Sequence, residues 1–267
     1  MRKNRFISLI LLLIATSLYG TVSADSHPAE LLYYNPDSPQ SNLSRLKRSM
    51  DNFLSRAEFP ITFQPFAHLV DFENQFKGKP PAFVFVPQWY FKTYGVNLRL
   101  RPLLIPIRNG EPSYRKVLLG TRHTDLDFDH PPLPTLAMTP MGPDWDAILD
   151  EILFSARGTA VGKINAIIVP KDSDALFALA LGQVDMALVV KENLDLIAKI
   201  NPNILQSVRP LLESGAIPMP VLCFTEGVAS TTDIQALMEL FLNSKARESL
   251  LIIMEMLQIN EWQAVHN

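Results

Sequence analysis

The sequence is short of the residues that commonly carry covalent chemistry or cross-links. Its 267 residues hold one cysteine, Cys223, which forbids an internal disulfide. A secreted eukaryotic domain of this size would carry several. There is no G-x-S-x-G nucleophile turn, no H-E-x-x-H metal helix, no G-x-x-x-x-G-K phosphate loop and no G-x-G-x-x-G dinucleotide turn. His68 stands beside no nucleophile. The sequence therefore reads as a non-enzyme without a cofactor. There is no internal repeat and no low-complexity block, because the 21 prolines sit between periodic segments. A surplus of positive charge is missing too, since the net charge is −3, and this argues against a nucleic-acid surface.

What is present begins with targeting information. Arg2, Lys3 and Arg5 precede an uncharged apolar run from Phe6 to Leu18, and Val22-Ser23-Ala24 places small residues at the −3 and −1 positions. This pattern predicts a secretory signal peptide over residues 1–24, cleaved after Ala24. The apolar run is shorter than the roughly 20 residues a membrane-spanning helix needs. No cysteine follows the small residues, which closes the lipoprotein route. Cleavage removes three of the 24 Lys/Arg and none of the 27 Asp/Glu, leaving an acidic chain expected in a bacterial periplasm.

The stretch Lys163–Val190 is the most informative. Ile164–Val169 is apolar and β-branched and predicts a buried strand ending at Pro170. Asp172 or Ser173 can cap a helix whose body is Ala175–Leu181, with Gly182 at its left-handed C-terminal position. Met186–Val190 predicts a second buried strand, which completes a βαβ unit with parallel strands. Upstream, strands at Leu31–Tyr34, Ile61–Phe66 and Ala82–Val86 alternate with helices at Ser41–Ala57, Leu69–Phe76 and Gln88–Tyr94, an open α/β pattern. Leu103–Ile107 and Tyr114–Leu119 are extended around the turn Arg108-Asn109-Gly110. Paired extended segments in mid-chain suit a hinge between lobes. Thr135–Met138 predicts a strand, and Asp144–Phe154 a helix with Trp145, Ile148, Leu149 and Leu153 on one face. A helix at Glu192–Ile200 follows. Val208–Leu212 and Ile217–Phe224 are extended around Gly215 and offer a second crossing. Helices at Thr232–Leu242 and Lys245–Leu257 end the chain.

Two segments carry a family likeness: PPAFVFVPQWY with LLIPIRNGEPSYRKVLL in Pro80–Leu119, and DALFALALGQVDMALV at Asp174–Val189. The crossing strand reads Gly110-x-x-x-Tyr114, and the later helix-to-strand turn reads Ala178-x-x-x-Gly182-x-Val184-Asp185. In these features the chain resembles the phosphate/phosphonate-binding, PhnD-like branch of the type 2 periplasmic binding proteins that serve ABC importers. The resemblance implies an α/β fold of two lobes joined by two crossing segments. One lobe is discontinuous, at 25–119 and 210–267, and the other spans 120–209. A small ligand, an oxyanion by analogy, would lie in the cleft between lobes that close by hinge motion. The expected partner of a monomeric receptor is an inner-membrane ABC permease. The alternative is a transport-inactive sensor or accessory subunit that binds a protein such as a sensor-kinase ectodomain.

Ligand-facing groups in open α/β sheets follow the carboxyl ends of strands. That rule selects Tyr34 and Asn35 after the first strand, and Gln88, Trp89 and Tyr90 after the third. Thr139 and Gly142 form the turn where the family holds its anion. The family usually has a Ser/Thr-Ser-Gly turn there, whereas this chain has Thr139-Pro140-Met141-Gly142-Pro143, and each proline removes a backbone donor. The segment His123–His130, HTDLDFDH, concentrates metal-ligand types but lacks the calcium-loop glycine and closing acid, and reads as a solvated acidic loop. Asp185 reads as a structural acceptor, and Cys223 as a buried hydrophobe.

Overall fold

A computed structural model describes residues 29–39, 42–124, 133–154, 164–200, 202–242 and 247–265. The expected signal peptide and most of the His123–His130 segment lie outside the described residues.

The first lobe is built on a six-stranded sheet. Strand β1 (Ala29–Tyr34) is followed by helix α1 (Leu43–Arg56), β2 (Ile61–Phe66), α2 (Leu69–Gly78), β3 (Phe83–Val86), α3 (Gln88–Tyr94) and β4 (Leu100–Ile107). The chain leaves through β5 (Ser113–Tyr114) and builds the second lobe from β6 (Lys116–Thr121), β7 (Thr135–Met138), α4 (Trp145–Leu149), β8 (Asn165–Ile168), α5 (Asp172–Ala180), β9 (Met186–Val190), α6 (Lys191–Ile200), α7 (Pro202–Gln206) and β10 (Val208–Glu213). It returns through β11 (Ile217–Pro218) and closes the first lobe with β12 (Val221–Thr225), α8 (Thr231–Leu242), α9 (Arg247–Leu257) and β13 (Glu261–Ala264). The sheet orders are β13-β4-β12-β3-β1-β2 and β10-β6-β9-β7-β8, with β11-β5 as a separate two-stranded pair.

Each lobe contains the same three-strand unit. In the first, β1 lies between β3 and β2 and is parallel to both. In the second, β7 lies between β9 and β8 and is parallel to both. The loops after β1 and β7 are therefore equivalent places in the two lobes. No repeat is visible in the sequence, because burial on both faces asks only for apolar residues, not for particular ones.

Alternation distributes the core. Leu31 and Tyr33 of β1 join the face covered by α1, α8 and α9, while Leu32 and Tyr34 join the face covered by α2 and α3. In the second lobe Leu136 and Met138 pack with Leu149 of α4, and Ala137 packs with Ala175, Leu176 and Leu179 of α5. Cys223 is fully buried in β12, as its apolar surroundings predict.

Four expectations need correction. The segment Ile164–Val169 does not form a buried strand: β8 is the sheet edge and exposes Ile167 and Ile168, because apolar β-branched composition does not distinguish edge from centre. The two extended segments read as Tyr114–Leu119 and Ile217–Phe224 each break in two. Their first halves, β5 and β11, form the crossing pair, while the second halves part: β6 hydrogen-bonds into the second sheet, between β10 and β9, and β12 into the first, between β3 and β4. By sheet membership β6 and β10 pair with the strands of the second sheet. The expected helix over Asp144–Phe154 is α-helical only to Leu149 and widens into a π-helical turn at Asp150–Phe154. Asp172 does not cap α5: it is the first residue of the helix, after Lys171. Two elements gave no warning in the sequence, the single turn α7 and the last strand β13.

Two turns follow the sequence closely. Asn109 and Gly110 have φ of 52° and 84°, the positive pair that a two-residue type I′ hairpin requires. Gly182 has φ of 69°, and Gln183 N–H donates to Ala178 O while Gly182 N–H donates to Leu179 O, a Schellman end to α5.

Candidate functional site

The cleft between the lobes is organised around one carboxylate. Asp37 lies three residues beyond β1, in a turn where Asn35 Oδ1 accepts the Asp37 N–H at 3.2 Å. From there its side chain reaches across to the other lobe. Asp37 Oδ1 accepts from Lys116 Nζ at 2.7 Å and from the Thr139 hydroxyl at 2.5 Å. Asp37 Oδ2 accepts from the Tyr114 phenol at 2.6 Å. Lys116 also donates to Thr139 Oγ1 at 2.6 Å, so the hydroxyl receives one hydrogen bond and passes on another. The Asp37 backbone carbonyl accepts from Asn193 Nδ2 at 3.2 Å.

Local sequence fixes each donor. Lys116 begins β6, where its backbone pairs with Val190 of β9 and with Ser214, whose hydroxyl accepts its N–H at 2.8 Å. The ammonium is thereby held with no solvent exposure. Thr139 follows β7 directly and is equally buried. Tyr114 sits in the crossing strand β5, and Asn193 in the first turn of α6.

A second carboxylate shares the cation. Asp172 Oδ1 lies 3.8 Å from Lys116 Nζ, and its Oδ2 accepts from Val190 N–H at 2.6 Å and Asn193 Nδ2 at 2.9 Å. Burial pushes the Asp172 carboxyl up to about 6; Lys116 and the two hydrogen bonds oppose the shift and Asp37 adds to it. Burial, reinforced by the charge of Asp37 and the hydrogen bond to it, holds the Tyr114 phenol well above its ordinary value. Tyr114 is therefore a neutral donor near pH 7.

Beyond this cluster, Arg108 at the end of β4 donates to Glu192 Oε2 of α6 at 3.3 Å and to the Gln258 and Leu257 carbonyls at 2.9 and 3.3 Å, a second bridge between the lobes. Beside Asp37 and Tyr114 lies a small cavity with room for about one water molecule, bordered by Asn35, Phe85, Arg108 and Met219; a wider space of about 520 Å³ lies beyond Arg108, between Asn109 and Asn260 of one lobe and Glu192 and Lys199 of the other.

The residues expected to face a ligand separate into three groups. Thr139 and Asn35 belong to the cluster. Trp89 and Gly142 face each other across the cleft: a β-carbon on Gly142 would lie 3.2 Å from Trp89 Cε3. Gln88 is half-buried at the start of α3, and no hydrogen bond of the cluster involves it among the described residues. Tyr34 and Tyr90 lie away from the cluster. Both are buried in the first lobe, each packed on Phe72 at ring-centroid distances of 5.7 and 5.4 Å. Alternation along β1 sends Tyr34 to the α2 face, and the first turn of α3 rolls Tyr90 under the sheet.

Five residues of the cluster were not selected as ligand-facing by the sequence: Asp37, Tyr114, Lys116, Asp172 and Asn193. The signals available were an acid just past a strand end and a lone lysine opening an otherwise apolar strand. Asp185 behaves as expected, its Oδ2 accepting the Thr135 N–H and hydroxyl at 2.7 and 2.8 Å. Among the described residues no group of three or more His, Cys, Asp or Glu is arranged to hold a metal ion.

No protein-family model matches the sequence, and no curated protein matches it significantly. Solved structures do resemble it. The binding-protein component of a phosphonate ABC transporter from Pseudomonas aeruginosa superposes with a TM-score of 0.72 at 12% identity, over 89% of this chain and 81% of that one. PhnD1 from Prochlorococcus marinus, solved with methylphosphonate, gives 0.69 at 11% identity, over 90% and 93%. A histidine-kinase sensor domain described as similar to periplasmic binding proteins gives 0.55 at 17% identity, over 88% and 98%. The fold is that of the two-lobed type 2 periplasmic binding proteins.

Proposed function

We propose that this protein is a periplasmic receptor for a small oxyanion, held in the inter-lobe cleft by Lys116, Thr139 and Tyr114. One observation carries the reading. An ammonium and two hydroxyls converge on a single carboxylate inside the cleft, and such charge-assisted donors are what an oxyanion needs once it leaves water. The neighbours in structure are binding and sensing proteins, which supports binding as the function. The signal-peptide pattern supports a periplasmic location. Among the described residues no helix is long and apolar enough to cross a membrane.

Delivery to an inner-membrane ABC permease is the first reading of the partner. A sensor or accessory role, through a partner such as a sensor-kinase ectodomain, is favoured by a separate observation: the cleft is bridged by the chain's own side chains.

The test is a thermal-shift and calorimetric screen of the purified mature protein against phosphate, phosphite, methylphosphonate, sulfonates and small carboxylates. A ligand at 100 times its dissociation constant stabilises the folded state by about 2.7 kcal/mol. Lys116→Met should abolish any shift found. Binding that survives this substitution undiminished places the ligand elsewhere.

A further inference from the structure

We infer that the anion position of this cleft is shaped for one monocarboxylate, and that the chain's own Asp37 occupies it as a tethered ligand. The lobes are then held together without a solute, and an external anion must displace Asp37 to bind. The inference rests on the receptor reading for its external ligand, but not for the closure.

Three observations support it. The partners are distributed as a planar carboxylate requires, with Lys116 and Thr139 on Oδ1 and Tyr114 on Oδ2. Asp37 comes from the first lobe, whereas Lys116, Thr139 and Asn193 come from the second, so these contacts span the cleft. The cavity that touches Asp37 and Tyr114 has room for about one water molecule, and the larger space between the lobes lies beyond Arg108 and Glu192, away from this cluster.

Charge selects the class of competitor. Asp172 stands 3.8 Å from the same ammonium, so Lys116 already serves two carboxylates. Exchanging Asp37 for a free monocarboxylate leaves the charge unchanged. A phosphate or phosphonate dianion would add a negative charge in a buried place where Lys116 already serves two carboxylates and the nearby Arg108 is engaged by Glu192. The turn after Thr139 carries Pro140 and Pro143, which lack an N–H to donate. Methylphosphonate, the ligand of the Prochlorococcus protein, is therefore a poor fit here.

The experiment compares dialysed wild-type protein with Asp37→Ala by small-angle scattering, thermal denaturation and calorimetry. Formate, acetate, phosphate and methylphosphonate are the probes. Wild type should scatter as a compact particle without any addition. Asp37→Ala should be more extended, and formate or acetate should restore compactness and raise its melting temperature. Phosphate and methylphosphonate should do neither. Acetate should bind Asp37→Ala at least about tenfold more tightly than wild type, since the internal competitor is gone.

An extended wild type, or an Asp37→Ala protein as compact as wild type, overturns the internal closure whether or not an anion binds. Equal rescue by methylphosphonate overturns the preference for a monocarboxylate. A compact wild type and an extended variant that bind none of the probes overturn the carboxylate assignment. Should the wider screen on both proteins also come up empty, the receptor reading falls with it and the closure alone stands. If Asp37→Ala does not fold, Asp37→Asn takes its place. Its amide cannot ion-pair with Lys116 yet still fills the position, so it should extend without rescue by acetate. A compact Asp37→Asn would overturn the role of the charge.

Discussion

Replacing Lys116 with Met tests the centre of the cleft most directly. The ammonium is fully buried, and Asp37 exposes only 10% of its side chain, so water screens the pair little. At 2.7 Å and an effective dielectric near 20, the gross attraction is about 6 kcal/mol. Much of it is offset by the desolvation of both ions, so the net value of the pair is far smaller. Removing one partner is a different matter, because it leaves Asp37 buried beside Asp172 with no cation between them. Lys116→Met should therefore cost about 3–5 kcal/mol. Asp37→Asn alone keeps the hydrogen-bonding shape and should cost less, and the double variant should recover part of the loss. Urea unfolding of the four proteins gives the coupling energy, expected above about 2 kcal/mol for contacting charges. A coupling below about 0.5 kcal/mol would mean that the pair is screened by water in solution, and the reasoning about the cleft would fail.

Further outcomes follow from the same geometry. The Asp172 carboxyl is raised to about 6 from an ordinary value of 3.8, so the folded state binds its proton more tightly than the unfolded state. Its contribution is full below about pH 4 and is lost as pH rises through 6, about 3 kcal/mol in all. Stability of wild type minus that of Asp172→Asn, followed by urea unfolding from pH 4 to 8, should fall with pH, and a flat difference would contradict the shift. Gly142→Ala combines a φ of 104° with Trp89 only 3.2 Å from the new methyl. It should destabilise more than Gly110→Ala, which has φ of 84° and open space around it, by about 1 kcal/mol or more on thermal denaturation; equal costs would mean that Trp89 moves freely. Burial pushes the Cys223 thiol up, so a thiol reagent should leave native protein unlabelled and label it at the rate of unfolding. Fast labelling under native conditions would place β12 closer to solvent than its full burial implies.

Comparison of sequence and structure shows where local pattern is informative. Ile61–Phe66, Gln88–Tyr94 and Thr135–Met138 are elements with the bounds their sequences suggest, because periodicity and flanking prolines act within a few residues. Position in a sheet was not legible: β8 and β9 have similar apolar composition, yet β8 is an exposed edge and β9 is central. The rule that ligand-facing groups follow strand ends selected Asn35 and Thr139, which meet at Asp37, together with Tyr34 and Tyr90, which pack inside the first lobe. The rule names an end of the sheet without saying which way a side chain turns.

By itself the sequence determined the two α/β lobes, the mid-chain crossing and the Schellman end of α5. These depend on hydrophobic period, turn residues and composition, all local properties. Tertiary structure alone decided that Asp37, Lys116, Thr139 and Asp172 meet. They stand up to 135 residues apart, and nothing near any one of them records the others. A buried charge is tolerable only where a distant partner arrives to neutralise it, and that arrival depends on how the two lobes close.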